Sequence, residues 1–339
     1  MASANKRELL SRAFAATRFT DILELLPQRR VLLVLTYHRV GDPMSTPYDS
    51  GVYSATGDEL DEHVRHLKRH FNVVSPDEAI ELARSGGPSR ATVCITFDDG
   101  YLDNYEIAYP ILRSHGVSGM FFLATSYVGS SVVPWWDRIA FIVKQSKRSV
   151  IRISYPDARE FNIKELGIRE ACREILKVYR SAKTTDPERF ERELTGICEA
   201  IPPGQDSQQL FMDWNQAREM QAGGMQFGSH THSHTILTTL SAEAQREEFR
   251  LSREILEREL GRTVDVMAYP VGSPHAFSQD SIAGLRATGY RAAFSHYGGF
   301  NRPNEIHPFD IRRFPVDRPS RNRLRLQTAV GAITGSRWF

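Results

Sequence analysis

From Val31 onward the chain repeats one order, a short apolar run followed by a polar stretch with helical spacing. The runs are VLLVLTYH, FNVVS, ATVCITFDD, GVSGMFFLAT, GMQFGSH, VDVMAYP, YRAAFS and DIRRFPV. Stretches such as DELDEHVRHLKRH, NYEIAYPILRSHG and SAEAQREEFRLSREILERELG lie between many of them. Helices between successive strands supply the long crossovers that parallel pairing requires, so this order points to βαβ units, a parallel sheet and an α/β fold. Seven or eight runs suit a closed barrel better than an open sheet.

Three segments depart from this rhythm. Residues 138–213 hold IKELGIREACREILKVYR, DPERFERELTGICEA and the turn-rich IPPGQDSQ, and read as an insertion between barrel units, a helical cap. Residues 3–26 place Leu9, Leu10, Phe14, Phe19, Ile22, Leu23 and Leu26 in a broad apolar stripe. That pattern fits an amphipathic helix packed on the main domain. It also fits an interfacial membrane helix flanked by Lys6, Arg7, Arg12 and Arg18. The C-terminal stretch carries Arg318, Arg321, Arg323, Arg325 and Arg337, which suits a solvated basic tail or surface helix, or contact with an anionic glycan or membrane. The expected division is an N-terminal helix over 1–30, a main domain over 31–318 with its insertion at 138–213, and a basic tail over 319–339.

Charge and cysteine usage exclude several classes. Lys plus Arg is 43 against 41 for Asp plus Glu, a net +2, which gives no support for nucleic-acid binding driven by overall charge. Cys94, Cys172 and Cys198 lack CxxC spacing, so neither a disulfide framework nor a thiolate zinc site follows. Cys94, inside ATVCITF, reads as a small buried apolar residue. No apolar run is long enough for a spanning helix, and MASANKRELLSRAFAATRF lacks the unbroken apolar region of a signal peptide. The expected location is cytoplasmic, at the inner membrane face if the first helix or the basic tail touches lipid.

Parallel α/β sheets carry their active groups at the carboxyl ends of strands, and three strand ends here are unusually polar. Thr96-Phe97-Asp98-Asp99-Gly100-Tyr101 follows VCI; adjacent carboxylates repel unless a cation or a proton separates their roles, although Asp-Gly also suits a plain turn. Gly228-Ser229-His230-Thr231-His232-Ser233-His234 places three imidazoles at spacings of two. In an extended chain all three would share a side. In a helical turn His230 and His234 share a face while His232 points elsewhere, and the helical stretch from Ser241 favours the turn. Two histidines and one carboxylate make a His2Asp metal site with an open position for water. Thr36-Tyr37-His38-Arg39 ends the third run, and in a barrel His38 would converge on the other two groups.

TFDDGY and HTHSH resemble the two leading motifs of the polysaccharide deacetylase family, also called the NodB-homology or carbohydrate esterase 4 family. TYHRV, the PWWD at 134–137 and the RRFPV at 312–316 resemble its bacterial branch with an early YHxV-like strand, which includes the poly-N-acetylglucosamine deacetylases. The likeness runs from about Val31 to Arg318, excluding most of the insertion. It implies a distorted (β/α)7 barrel. It assigns Asp98 as general base, Asp99, His230 and His234 as metal ligands, and His38 as general acid. The family's third motif, Arg-x-x-aromatic-Gly, aligns with Ala268-Tyr269-Pro270-Val271-Gly272; its Arg is missing, and Arg313 is offered in its place.

The implied function is metal-dependent removal of N-acetyl groups from an N-acetylated sugar. The expected ion is Zn2+, with Co2+, Ni2+ or Fe2+ as alternatives that a His2Asp set also accepts. Asp98 takes a proton from water, His38 gives one to the sugar nitrogen, and the Val271 N–H helps to hold the oxyanion. Tyr269 beside it is grouped with the substrate-binding positions. Should His38 not be the acid, it lies among His275, His296 and His307. Trp135 and Trp136 read either as a sugar-stacking wall or as core aromatics, with Asp137 as a hydroxyl or amine ligand beside them, whereas Trp214 reads as helix packing. Two competing functions remain, a metal amidohydrolase or esterase on a non-sugar substrate and a glycan-binding protein that keeps the fold without catalysis.

Overall fold

The computed structural model describes residues 13–14, 16–17, 19–181, 184–201, 209–317 and 321–335. The chain divides into two compact units: Met1–Gly41 with Ser54–Ser130 and Phe211–Phe339, and Asp42–Tyr53 with Ser131–Leu210.

Among the described residues of the first unit, nine strands form one sheet. In chain order they are β1 (Leu32–Tyr37), β2 (Asn72–Val73), β3 (Thr92–Phe97), β4 (Met120–Leu123), β5 (Gln226–Ser229), β6 (Val266–Ala268), β7 (Ala292–Phe294), β8 (Phe300–Asn301) and β9 (Phe314–Pro315). The order across the sheet is β7-β6-β5-β4-β3-β1-β8, with β2 added to β3 and β9 to β1. All pairings are parallel except β8 on β1.

The segment 311–315 closes the ring. Ile311 pairs in parallel with Phe294 of β7, its N–H donating to Ala293 O at 3.0 Å. Three residues on, Phe314 pairs with Leu35 of β1, and Val316 N–H donates to Thr36 O at 3.0 Å. The architecture is the distorted (β/α)7 barrel that the sequence anticipates. Side-chain alternation then sorts residues between two environments. Leu32, Val34, Cys94, Met120, Phe122, Val266, Ala268, Ala292, Phe294 and Ile311 form one buried cluster. The residues between them, including Leu33, Leu35, Tyr37, Val93, Ile95, Phe97, Phe121 and Leu123, pack in a different one with Leu60, Val64 and Leu67 of the helix Gly57–His70. Thr56 and Glu59 close a capping box at the start of that helix, and Ser75 and Glu78 do the same for Pro76–Arg84.

Two segments add to the sequence reading. The C-terminal stretch, for which a solvated tail or a surface helix is expected, is helical over Arg321–Thr334, with Leu324, Leu326, Ala329, Val330 and Ala332 buried. Its apolar positions pay for burial, and Arg325 loses its solvent only because Asp21 and Glu24 bind it. The second unit is mixed rather than purely helical. It combines the helices Trp135–Gln145, Ile168–Tyr179 and Pro187–Cys198 with the hairpin Val150–Ile153/Arg159–Asn162, and it recruits residues 42–53. Lys6, Arg7, Leu9, Leu10, Arg12, Arg18, Arg318 and Arg337 lie outside the described residues. Among those described, no helix is long and apolar enough to cross a membrane.

Gly228, in β5 just before the histidine cluster, is required by close packing. A Cβ there would stand 2.6 Å from Phe122 Cδ1 and 3.1 Å from Val266 O, and both neighbours are buried. Gly228→Ala should therefore lower stability by about 1–3 kcal/mol in thermal or urea unfolding, as overpacking does. An unchanged midpoint would show that the strand can shift freely.

Candidate active site

By strand alternation His38 and Asp98 lie on the side of Val34 and Cys94, beyond Thr36 and Thr96, while Arg313 follows Ile311 on that side and His230 follows Gly228 at the end of β5. β1 and β3 lie side by side with Tyr37 opposite Phe97, so His38 and Asp98, far apart in sequence, become neighbours. Asp98 N–H donates to Tyr37 O at 2.9 Å as the last rung of that ladder.

Arg313 is fully buried and forks onto Asp98, NH1 to Oδ1 at 2.6 Å and NH2 to Oδ2 at 2.7 Å. Its Nε donates to Ser295 O at 2.9 Å, and its guanidinium carbon stands 5.3 Å from the centre of the Phe122 ring. Burial alone would raise the Asp98 carboxyl. The Arg313 guanidinium, by its charge and its fork, outweighs it and holds the group well below the usual carboxylate range. The guanidinium paired with Asp98 thus comes from the barrel's closing segment.

Asp99 turns away from Asp98 because its backbone is left-handed, φ 72°, with Gly100 following at 80°. Its Oδ1 is buried without a hydrogen bond of acceptable geometry, 3.5 Å from His230 Nε2 and 3.2 Å from His234 Nε2. The ligand atoms of these three residues all lie within 4.8 Å of one another. His230 Nδ1 lies 2.8 Å from Ala268 O; donating there leaves Nε2 with the lone pair. Burial also pushes the His230 imidazolium down to about 4, which keeps the ring neutral. A buried carboxylate oxygen facing two imidazole nitrogens fits a divalent cation, and these three residues are the ones that would hold it.

The turn that aims the histidines is itself strained and pinned. Thr231 and His234 have φ 65° and 56°. Ser229 Oγ accepts from Thr231 N–H, and Thr231 Oγ1 from His234 N–H, both at 3.1 Å. Glu248, from the helix Ala242–Leu260, accepts from the N–H groups of His232 and Ser233 at 2.9 and 2.8 Å. His232 instead directs Nδ1 to Thr125 Oγ1 at 2.9 Å, apart from the other two rings.

His38 Nε2 stands 3.9 Å from Asp98 Oδ2, with a quarter of its side chain open to solvent. Its backbone is clamped: its N–H donates to Ser54 Oγ at 2.9 Å and its carbonyl accepts from Asn104 Nδ2 at 2.7 Å. Beneath it Arg39 Nε binds Asp103 Oδ2 at 2.8 Å, and Val40 N–H binds Asp103 Oδ1 at 2.9 Å. Sequence reasoning missed Asn104, Asp103, Ser54 and Glu248, whose only local signal is a polar residue inside an amphipathic stretch. Of the three reserve histidines, His275 and His307 are exposed, while His296 lies beside His38 with ring centres 5.4 Å apart. Burial and the nearby His38 and Arg313 push His296 down to about 3, so it is neutral.

Other expectations are corrected. Tyr269 is fully buried, stacked on Phe277 at 4.0 Å with its hydroxyl donating to Phe309 O at 2.9 Å, so its side chain serves the core rather than a substrate. Its neighbour Val271 has φ 62°, rare for a β-branched residue, in the turn after β6. In the second unit Trp136 is buried, and Trp135 stacks on Tyr179 with ring centres 4.5 Å apart. Asp137 is fully buried and accepts from Asp49 N–H at 2.9 Å, which makes it an internal hydrogen-bond acceptor.

Comparison with known proteins is consistent with this geometry. The family model described as polysaccharide deacetylase matches residues 85–293. YxkH of Bacillus subtilis (strain 168), whose name places it among polysaccharide deacetylases, is 32% identical over 102 residues, 29% of this chain and 33% of that protein. The poly-beta-1,6-N-acetyl-D-glucosamine N-deacetylase of Staphylococcus epidermidis is 29% identical over 114 residues, 31% of this chain and 39% of that protein. The matches therefore span only a third to two-fifths of these relatives' own lengths. The structure of IcaB from Ammonifex degensii superposes with a TM-score of 0.58 at 20% identity, covering 89% of this chain and 98% of that one, and shares the fold.

Two outcomes test the geometry. His230→Ala and His234→Ala should each bind one divalent ion fewer than the parent protein by equilibrium dialysis, and His232→Ala should bind as many; the reverse pattern overturns the ligand set. Arg313→Met leaves Asp98 buried without its cation and should cost about 3–5 kcal/mol of stability in denaturant unfolding. A loss below about 1 kcal/mol, the range of exposed pairs, would show that the fork is solvated.

Proposed function

Since the chain belongs to the polysaccharide deacetylase family, we propose that it hydrolyses the N-acetyl group of an N-acetylated sugar, with N-acetylglucosamine units of a glycan as the substrate class. The observation that carries this reading is the convergence at one barrel end of Asp98, locked by Arg313 and faced by His38, with the cluster Asp99, His230 and His234. The relative named for poly-N-acetylglucosamine supports the choice of sugar.

Amide hydrolysis needs a proton acceptor for water, charge stabilisation on the tetrahedral oxygen and a proton for the departing amine. Held by Asp99, His230 and His234, a divalent ion, with Zn2+ expected from the donor set, supplies Lewis-acid polarisation and acidifies water. Arg313 keeps Asp98 ionised at neutral pH and fixes its plane, and the lone pairs that the fork leaves uncovered can accept the proton of the attacking water. The Val271 N–H, on the loop beyond β6, is assigned to the oxyanion. His38 stands beside Asp98, its Nε2 3.9 Å from Asp98 Oδ2. It is assigned to protonate the amine nitrogen, while the neutral His296 beside it adds no competing charge.

Acetate release from N-acetylglucosamine oligomers tests the activity; none with any divalent ion overturns the reading. Asp98→Asn should retain the ion and lose about 10²–10⁴ in turnover on amide and ester alike. His38→Ala should lose as much on the amide but far less on a nitrophenyl acetate, whose leaving group needs little protonation. Equal losses on both substrates would remove His38 from the acid role.

A further inference from the structure

The helix Phe19–Leu25 is docked with its polar side inward. A surface helix on a globular domain ordinarily buries its apolar stripe. In this one Arg325 of the helix Arg321–Thr334 donates from Nε to Glu24 Oε1 at 2.8 Å, and from NH2 to Glu24 Oε2 and Asp21 Oδ1, both at 2.6 Å. His66 and His70, one turn apart on Gly57–His70, face the same carboxylate, Nδ1 3.7 Å from Oε1 and Nε2 3.6 Å from Oε2. Thr20 is buried on this side. Turned to solvent are Phe19, Ile22, Leu25 and Leu26, at 42%, 55%, 85% and 42% exposure. Steps of three residues place Phe19, Ile22 and Leu25 on one helix face, and Leu26 directly follows the helix.

The sequence flanking this helix is basic. Lys6, Arg7, Arg12 and Arg18 precede it and Arg29 and Arg30 follow, against Glu8, Asp21 and Glu24. Arg325 already binds two of those three carboxylates. A second copy of the chain on the same face would bring two identically basic flanking sequences together. An anionic headgroup layer would neutralise them while its acyl boundary takes up the side chains. We propose that this face lies on an anionic lipid surface, and that the Arg325 clamp holds the apolar side outward for it. The proposal is independent of the catalytic reading.

The test is co-sedimentation of the full chain with vesicles of phosphatidylcholine plus phosphatidylglycerol and with phosphatidylcholine alone, alongside light scattering for mass in solution. The parent should bind the anionic vesicles, more weakly as salt rises, and bind the neutral ones poorly. Ile22→Glu with Leu25→Glu should weaken that binding about tenfold or more with unchanged far-ultraviolet circular dichroism, since both side chains are exposed in the fold. Leu25→Ser alone, which adds no charge, should weaken it in the same direction. Parent protein that ignores anionic vesicles overturns the proposal, as does binding that the double variant leaves intact. A double variant that instead splits an oligomer would assign the face to a second copy.

Discussion

A fully buried guanidinium is the most demanding group in this molecule, and the site is built around satisfying it. Arg313 has no water to return to, so its charge requires the Asp98 carboxylate and its remaining N–H groups require acceptors such as Ser295 O. The planar fork matches both carboxylate oxygens at once, which a lysine could not do. One contact therefore ties the closing segment 311–315 to β3 and sets the orientation of the proposed base. It also keeps that base ionised.

The other site groups follow from strand alternation. In β1 and β3 the column that is apolar at Val34 and Cys94 turns polar toward the carboxyl end, so the periodicity that builds the interior delivers His38 and Asp98 side by side, with His230 joining them from the end of β5. Asp99 and His234 come from positive-φ turns, and the turn carrying the histidines is over-determined by Ser229, Thr231 and Glu248. Strain of this kind persists where surrounding hydrogen bonds fix it, and it buries three potential ligands with few protein partners of their own.

A second arginine fork does structural work far from the chemistry. Arg325 on Asp21 and Glu24 makes the first described helix a polar dock with an apolar exterior. The two forks use the same geometry for opposite ends. Arg313 fixes a base inside the barrel, and Arg325 fixes an orientation at the surface.

Local order along the chain was enough to establish much of this. The runs from VLLVLTYH to DIRRFPV are strands because apolar, β-branched and aromatic residues recur at that length between polar helical stretches. The spacing of His230 and His234, with His232 between them, could be read as a turn that separates one ring from two. Long-range placement could not be read. Only the closed barrel brings Arg313 across to Asp98 and sends the Tyr269 ring into the core, and only packing within the second unit buries Trp136. Arg325, which reads as tail charge, becomes a clamp once Asp21 and Glu24 are beside it. Periodicity is written within a few residues of itself, so sequence reports it. Ion pairs across hundreds of residues exist only after strands pair and the ring shuts, and the tertiary structure alone decides them.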